Sequence, residues 1–276
     1  MGDWIIGWTT GAVADGPLPA LVCLPPAGAG CRRFGSWQHP LAGTAEVFGV
    51  QLPGREDRWH EPMPDTFDQA VDTIVTALTR RLGRSRPLVL YGHSFGGLLA
   101  YEVARRTTPY ALVVSGCRAP ARAPGTGRRT AGSPVREDEL DRLLDTDDPG
   151  LDPGQAHGLR DLELRELALE MLRKDAALSR SYTHRPEPRL RVPVHVWGAD
   201  DDATVTPAEL DRWAAATTGP LHRRQVPGGH HAVLRRPQQL LAHLAELLRA
   251  AAAAPAPAGL TTAATAAVSA ARHTGA

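Results

Sequence analysis

Three short stretches of the chain carry side chains suited to nucleophilic acyl transfer. Ser94 lies in the sequence GHSFG, with a glycine two residues away on either side. An acidic cluster follows at residues 200–202, and the adjacent His230 and His231 come directly after two glycines. A serine hydroxyl attacks a carbonyl when a base takes its proton, and the usual base is a histidine oriented by a carboxylate. The order serine, acid, histidine therefore predicts a serine hydrolase.

The residues around Ser94 predict a sharp turn from a strand to a helix. Residues 88–91 read LVLY, an apolar run typical of a buried strand, and residues 98–106 have the apolar spacing of a helix. At a G-x-S-x-G turn the strand and helix pass so close that a β-carbon at Gly92 or Gly96 would clash. We therefore interpret Ser94 as an exposed nucleophile, the alternative being an ordinary serine in a glycine-rich turn.

Strands and helices that alternate along the chain predict an α/β fold, with a mostly parallel sheet and helices on both faces. The predicted strands are 21–24, 46–51, 88–91, 111–115, 194–197 and 222–226, and the predicted helices are 67–82, 98–106, 207–217 and 237–252. The acidic cluster and the histidine pair follow the last two strands. We expect them at the same sheet edge as Ser94, since the carboxyl ends of parallel strands meet there.

A long insertion interrupts this alternation at about residues 118–191. It begins with a segment rich in proline, glycine and arginine and continues with helix-like runs at 137–144 and 159–182. An insertion of this length at that place predicts a helical lid over the active site. After residue 251 the chain is rich in alanine, threonine and proline. We predict one catalytic domain over 1–251 and a disordered tail over 252–276.

Composition and charge exclude several other classes of protein. The net charge of +1 argues against nucleic-acid binding, and the three cysteines have no CxxC spacing that would indicate a disulfide framework or a zinc site. The first residues do not resemble a signal peptide, and no apolar run is long enough to cross a membrane. We expect a cytoplasmic monomer with no membrane attachment.

The chain resembles type II thioesterases, the stand-alone α/β-hydrolases that accompany polyketide and nonribosomal peptide synthases. The combination of PGRE with GHSFGGLLAYEVAR is more specific than either motif alone. Ala29, Phe95 and Ala203 stand where this family more often has glycine, methionine and proline. The resemblance implies an α/β-hydrolase fold over about residues 20–245. The matching stretches are LPPAGAG at 24–30, QLPGRE at 51–56, GHSFGGLLAYEVAR at 92–105, WGADDDATVTPAEL at 197–210 and VPGGHHAVL at 226–234.

Carried onto this chain, the resemblance implies that Ser94 is the nucleophile and His230 the base. The acid is either Asp201, favoured by counting from the preceding glycine, or Asp202, favoured by the residues downstream. Of the two we prefer Asp202. The developing oxyanion needs two fixed backbone donors. We expect the N–H of Phe95, at the start of a helix, and that of Ala27, in the loop after the first core strand.

The resemblance further implies hydrolysis of aberrant or stalled acyl groups from the phosphopantetheine thiol of acyl or peptidyl carrier proteins, with no metal or bound cofactor. Arg32, Arg33, Arg55 and Arg58 could contact the acidic surface of such a carrier or the phosphate of its arm, or could pair within the fold. Two other classes stay open, a general carboxylesterase or lipase-like hydrolase and a non-catalytic binding module on the same fold.

Overall fold

A seven-stranded sheet forms the centre of the molecule. The computed structural model describes residues 2–8, 17–123 and 162–254, with side chains of the last segment from residue 165 onward. The strand order is β1-β3-β2-β4-β5-β6-β7. Among the described strands, only β1 and β3 pair in the antiparallel sense, and the other pairings are parallel. The strands are β1 (Ile5–Gly7), β2 (Ala20–Leu24), β3 (Glu46–Val50), β4 (Leu88–His93), β5 (Ala111–Ser115), β6 (Val194–Ala199) and β7 (Leu221–Val226).

Helices cover both faces of this sheet, as expected for parallel strands that are buried on both sides. The α-helices are α1 (Phe67–Leu82), α2 (Phe95–Thr107), α3 (Leu162–Arg180), α4 (Pro207–Leu210), α5 (Ala232–Arg235) and α6 (Gln238–Ala253). One apolar core lies between the sheet and α1, α2 and the end of α3. A second lies between the opposite face, α6 and the 3₁₀ segment Cys31–Gln38. The α/β class predicted from the alternating pattern is confirmed.

The predicted elements match the structure with a few differences. The expected strand 111–115 and helix 67–82 agree with β5 and α1 to the residue. The expected helix at 98–106 begins earlier, at Phe95, directly after Ser94. The expected helix at 207–217 divides into α4 and the 3₁₀ segment Asp211–Ala216. The sequence prediction omitted β1, which is three residues long.

The second half of the predicted lid is a helix, α3, which occupies most of the expected run 159–182. The expected run at 137–144 lies outside the described residues. So does the expected tail from residue 255 onward, while α6 continues to Ala253, just past the predicted domain end at 251. Over the described segments, no helix is long and apolar enough to cross a membrane, and no cluster of metal-binding side chains is present.

The sheet order places two loops side by side at its carboxyl edge. From β2 the chain goes first to β3 on one side and then, through α1, to β4 on the other. The loop after β2 and the turn after β4 therefore leave adjacent strands where the direction of winding changes. Ligands bind in the crevice at such a switch point of an open α/β sheet.

Candidate active site

Ser94 occupies the turn between β4 and α2 in a strained backbone conformation. Its φ of 51° and ψ of −120° lie in a region that non-glycine residues rarely adopt. Backbone hydrogen bonds hold the turn: the Ser94 N–H donates to the carbonyl of Ser115 in the neighbouring β5 (2.8 Å), and the Ser94 carbonyl accepts from the Gly97 N–H (2.9 Å). Serine at the position before a helix usually caps it, yet the Ser94 hydroxyl makes no capping hydrogen bond. The hydroxyl is therefore available for chemistry.

The glycines on either side of Ser94 are required by the close approach of backbone to backbone. A β-carbon on Gly92 would lie 2.2 Å from the Gly96 carbonyl oxygen, and one on Gly96 would lie 2.2 Å from the Leu24 carbonyl oxygen. Both contacts are with backbone, so no side chain can rotate away to relieve them. The clash expected from the sequence motif is confirmed.

His230 and Asp202 form a buried hydrogen-bonded pair. His230 Nδ1 lies 2.8 Å from Asp202 Oδ2, and the two residues are 8% and 5% exposed. The other carboxylate oxygen, Oδ1, accepts from the backbone N–H groups of Thr204 (2.7 Å) and Val205 (2.9 Å). These bonds fix the carboxylate in the loop after β6 and direct its second oxygen at the imidazole.

Asp201, the alternative acid, contributes through its backbone. Its N–H donates to the Gly228 carbonyl (3.0 Å), and the N–H of Asp200 donates to the Val226 carbonyl (3.0 Å). The side chains of Asp200 and Asp201 are exposed. The two backbone bonds join the loop that carries Asp202 to the loop that carries His230. They therefore fix the position of the carboxylate relative to the imidazole.

The protonation state of Asp202 follows from its surroundings. Burial by itself raises the pKa of this carboxyl, but the hydrogen bond from His230 and those from the Val205 and Thr204 N–H groups outweigh burial and lower it. Asp202 is therefore ionised at neutral pH, where a negative charge beside Nδ1 stabilises a positively charged imidazole.

The free nitrogen of His230 is buried next to the elbow. Nε2 makes no hydrogen bond to any described part of the chain. A β-carbon on Gly116, which follows β5, would lie 2.9 Å from His93 Cε1 and 3.1 Å from His230 Cε1, so both rings pack tightly against this glycine. Gly116 has a φ of 52°, a conformation that glycine adopts at little cost. The neighbouring His231 packs edge-on against His230, with ring centroids 4.9 Å apart and an angle of 70° between the ring planes.

A second buried histidine, His93, lies beneath His230, with its ring centroid 5.0 Å from that of His230. His93 Nδ1 is 2.7 Å from the Ser115 hydroxyl, which is also 2.7 Å from the Tyr91 hydroxyl. Burial, followed by the proximity of His230 and His231, lowers the pKa of His93 well below its usual value. His93 is therefore neutral, and it packs against the imidazole without competing for a proton.

The expected oxyanion donors come from the two adjacent loops. Phe95 is the first residue of α2, where a backbone N–H has no partner within the helix. Ala27 lies in the loop after β2, which abuts the elbow: the hypothetical β-carbon on Gly96 would touch the carbonyls of both Leu24 and Pro25. The sheet thus brings the segments carrying Ala27, Phe95 and Ser94 together.

The four arginines considered as partner contacts have different environments. Arg55 is buried in an ion pair with Asp175 of α3, and Arg58 is buried in one with Glu61. Arg32 is exposed and pairs with Asp57, and Arg33 is also exposed. Three of the four therefore pair within the fold, and the two buried ones, Arg55 and Arg58, are unavailable to a partner.

Sequence reasoning did not single out three residues that border the site. His93 is the last residue of β4, the strand that leads into the Ser94 turn, and Gly116 directly follows the neighbouring strand β5. Their place at the carboxyl edge of the sheet could have identified them as site residues from the sequence. Asp175 offers a weaker signal, as a carboxylate spaced three residues from Leu172 and Leu178 on a helix. It was not predicted, because its partner Arg55 lies 120 residues away.

A family model described as the thioesterase domain matches residues 19–248, which include every residue of the site. This chain belongs to the thioesterase domain family. The enzyme is accordingly a hydrolase of thioester bonds, and its parallel sheet with flanking helices is the α/β-hydrolase fold of this family.

Relatives of this thioesterase come from biosynthetic systems. It is 34% identical over 216 residues to thioesterase PikA5 of Streptomyces venezuelae, covering 76% of this chain and 74% of PikA5. It is 32% identical to a probable cadicidin biosynthesis thioesterase of Streptomyces griseus, covering 88% of this chain and 66% of that one. Among solved structures, the type II thioesterase BorB from the borrelidin biosynthetic cluster superimposes with a TM-score of 0.75 at 33% identity, covering 90% of this chain and 98% of BorB.

Proposed function

We propose that this thioesterase is a type II editing enzyme, which removes aberrant or stalled acyl groups from carrier-protein thiols in polyketide or nonribosomal peptide synthesis. The observation that carries the catalytic part is the buried Asp202–His230 hydrogen bond at 2.8 Å, located beside the strained elbow of Ser94. The similarity to PikA5 and BorB supports the substrate class.

In the acylation step, Ser94 Oγ attacks the thioester carbonyl while His230 Nε2 takes the proton of the Ser94 hydroxyl. The carbonyl π electrons move to oxygen, and the N–H groups of Ala27 and Phe95 stabilise the resulting oxyanion. The C–S bond then breaks, the thiolate leaves with the proton from His230, and an ester forms on Ser94.

In the deacylation step, His230 takes a proton from a water molecule, whose oxygen attacks the ester carbonyl. The same two N–H groups stabilise the second oxyanion. As the intermediate collapses, His230 returns the proton to the Ser94 oxygen and a carboxylic acid is released. Throughout, the ionised Asp202 holds the imidazole with its proton on Nδ1 and stabilises its charged form.

The natural partner in this proposal is an acyl or peptidyl carrier protein bearing phosphopantetheine, and the enzyme acts as a cytoplasmic monomer. Three buried free thiols, Cys23, Cys31 and Cys117, support a reducing compartment. The exposed Arg32 and Arg33, beside the loop that carries Ala27, support contact with the phosphate of the arm.

The experiment is to load a carrier protein with a short acyl group and to follow release of the acid by intact mass, using wild type and Ser94→Ala. We expect release by wild type and none above background by Ser94→Ala, with an oxygen ester of the same acyl group cleaved more slowly. If wild type left the carrier acylated but hydrolysed the oxygen ester, the enzyme would be a general esterase and the editing function would be refuted.

A further inference from the structure

A buried ion pair joins α3 to the loop that carries the proposed oxyanion donor. Asp175 is fully buried and Arg55 is 1% exposed. The pair is bidentate, with Arg55 Nη2 donating to Asp175 Oδ1 at 2.6 Å and Nη1 donating to Oδ2 at 2.8 Å. The mechanism described above assigns no role to either side chain.

Asp175 also accepts a hydrogen bond from the residue next to Ala27. The backbone N–H of Gly28 donates to Asp175 Oδ2 at 2.7 Å. Arg55 Nη1 in turn donates to the Ala29 carbonyl at 3.1 Å. The ion pair therefore binds one donor and one acceptor of the loop backbone, and neither bond uses the Ala27 N–H.

A third contact between α3 and this loop comes from Leu172, one helical turn before Asp175. A β-carbon on Gly28 would lie 2.8 Å from Leu172 Cδ2, and the φ of Gly28 is 73°. Residues three apart lie on the same face of a helix, so Leu172 and Asp175 both contact Gly28. Leu172 packs against Gly28, and the Asp175 carboxylate accepts its N–H.

We propose that Asp175, held in place by Arg55, is a positioning residue that fixes the Ala27 N–H for oxyanion stabilisation by orienting the peptide group of Gly28. The proposal rests on the proposed acyl transfer at Ser94. The Gly28 N–H belongs to the peptide unit between Ala27 and Gly28, so fixing its direction constrains ψ of Ala27. This torsion helps to set the orientation of the preceding peptide unit, which carries the Ala27 N–H. An oxyanion donor acts only if it is already aimed at the reacting oxygen, and a misplacement of ~1 Å can cost about 10²-fold in rate.

The alternative is that the Arg55–Asp175 pair only stabilises the fold. Two double variants distinguish that role from positioning of the loop. Arg55→Met with Asp175→Leu replaces the pair by apolar groups, a change that often preserves stability, and leaves the Gly28 N–H without its acceptor. Arg55→Gln with Asp175→Asn also removes both charges but retains a side-chain carbonyl that can accept from Gly28. The two differ mainly in the acceptor for the Gly28 N–H.

Tyr182→Phe is the matched control, because it removes a hydrogen bond that anchors α3 at a point away from the Gly28 loop. The Tyr182 hydroxyl, just after α3, donates to Glu102 of α2 at 3.0 Å, in another anchoring contact of this helix. Asp175→Glu is a third test that does not neutralise the pair. It keeps the charge opposite Arg55 while moving the carboxylate by one methylene group.

Each variant is assayed on an acylated carrier and on a p-nitrophenyl ester, together with its affinity for a trifluoromethyl ketone that adds to Ser94. For the Arg55→Met, Asp175→Leu double variant (the Met/Leu variant) we expect kcat to fall about 10- to 100-fold on each substrate that the wild type hydrolyses. Its KM should change less than about threefold. Affinity for the ketone should fall by the same factor as kcat. The Arg55→Gln, Asp175→Asn double variant (the Gln/Asn variant) should regain most of the lost kcat. Asp175→Glu should lower kcat without changing KM, and Tyr182→Phe should match wild type in both.

The proposal is overturned if the folded Met/Leu variant keeps the kcat and ketone affinity of wild type, or if the loss is confined to KM. Equal losses in the Met/Leu and Gln/Asn variants would also overturn it, because the acceptor would then be irrelevant. If neither double variant folds, an unchanged kcat in Asp175→Glu refutes it. The ester and the ketone test the loop independently of the carrier, so failure of the editing function is distinguishable from failure of this proposal.

Discussion

Replacing Asp202 by asparagine should nearly abolish turnover, although it hardly changes the shape of the side chain. Asp202 Oδ1 accepts from two backbone N–H groups, at 2.7 Å from Thr204 and 2.9 Å from Val205. An asparagine retains those two bonds only by placing its carbonyl oxygen there. Its NH₂ group then faces His230 Nδ1, which in the native enzyme lies 2.8 Å from a carboxylate oxygen.

An NH₂ group at that place turns Nδ1 from a donor into an acceptor. The neutral imidazole must then carry its proton on Nε2, so it cannot take the proton of Ser94. The expected fall in kcat is about 10⁴-fold, which is ~5.4 kcal/mol of transition-state stabilisation at ~1.36 kcal/mol per tenfold change. Hydrolysis supported by the oxyanion donors alone sets the residual rate.

The assay compares Asp202→Asn with Asp201→Asn, the matched control on the adjacent residue. Single-turnover release of acid from an acylated carrier gives the rate, and circular dichroism verifies the fold of both variants. Asp201→Asn should stay within about twofold of wild type, because its exposed side chain makes no contact with His230 while its backbone bond to Gly228 is retained. A large loss in Asp201→Asn, or less than a tenfold loss in Asp202→Asn, would refute this assignment of the acid.

Three further predictions concern stability. Gly96→Ala should yield no soluble folded protein, because its β-carbon would lie 2.2 Å from the Leu24 carbonyl oxygen, whereas Gly43→Ala, with φ 72° and open space, should express with a melting temperature only a few degrees lower. Thr66→Ala should cost ~1 kcal/mol in urea unfolding, since the Thr66 hydroxyl caps α1. Burial, followed by its histidine neighbours, lowers the pKa of His195 to about 3. Because the unfolded chain takes up that proton near pH ~6.5, His195 alone should lower stability below this pH by up to ~1.4 kcal/mol per unit. His195→Leu should therefore make the slope shallower by about that amount in unfolding titrations.

Local patterns were sufficient to predict most of the fold. Helix α1 was predicted to the residue, since a capping threonine marks its start and a glycine with φ 71° follows its end. Strand β1 was not predicted, because three residues show too little alternation to indicate a strand. Helix α2 was predicted to begin three residues too late, because its first turn, Phe95–Gly97, contains two glycines that disfavour a helix and are present for close packing.

The acid illustrates where local information ends. Asp201 and Asp202 are adjacent residues in one loop, and counting from one side or the other favoured different members. Their environments are set by backbone bonds from this loop to the turn after β7, where Asp201 donates to Gly228. That bond directs the Asp201 side chain to solvent and leaves Asp202 facing His230, and no property of the two aspartates themselves contains that information.

Arg55 shows the same limit with a larger consequence. The PGRE stretch that helped to indicate the family contains an arginine that could have met a partner, and the structure buries it against a carboxylate 120 residues away. Residue types and spacing were enough to propose the reacting groups, since the chemistry of a hydroxyl, an imidazole and a carboxylate is intrinsic to Ser94, His230 and the aspartates. The contacts that we propose to position the Ala27 N–H come from α3, which the chain reaches only after the start of the insertion. Exchanging α3 with that of a relative should therefore change kcat through the Gly28 loop while leaving the Asp202–His230 pair intact.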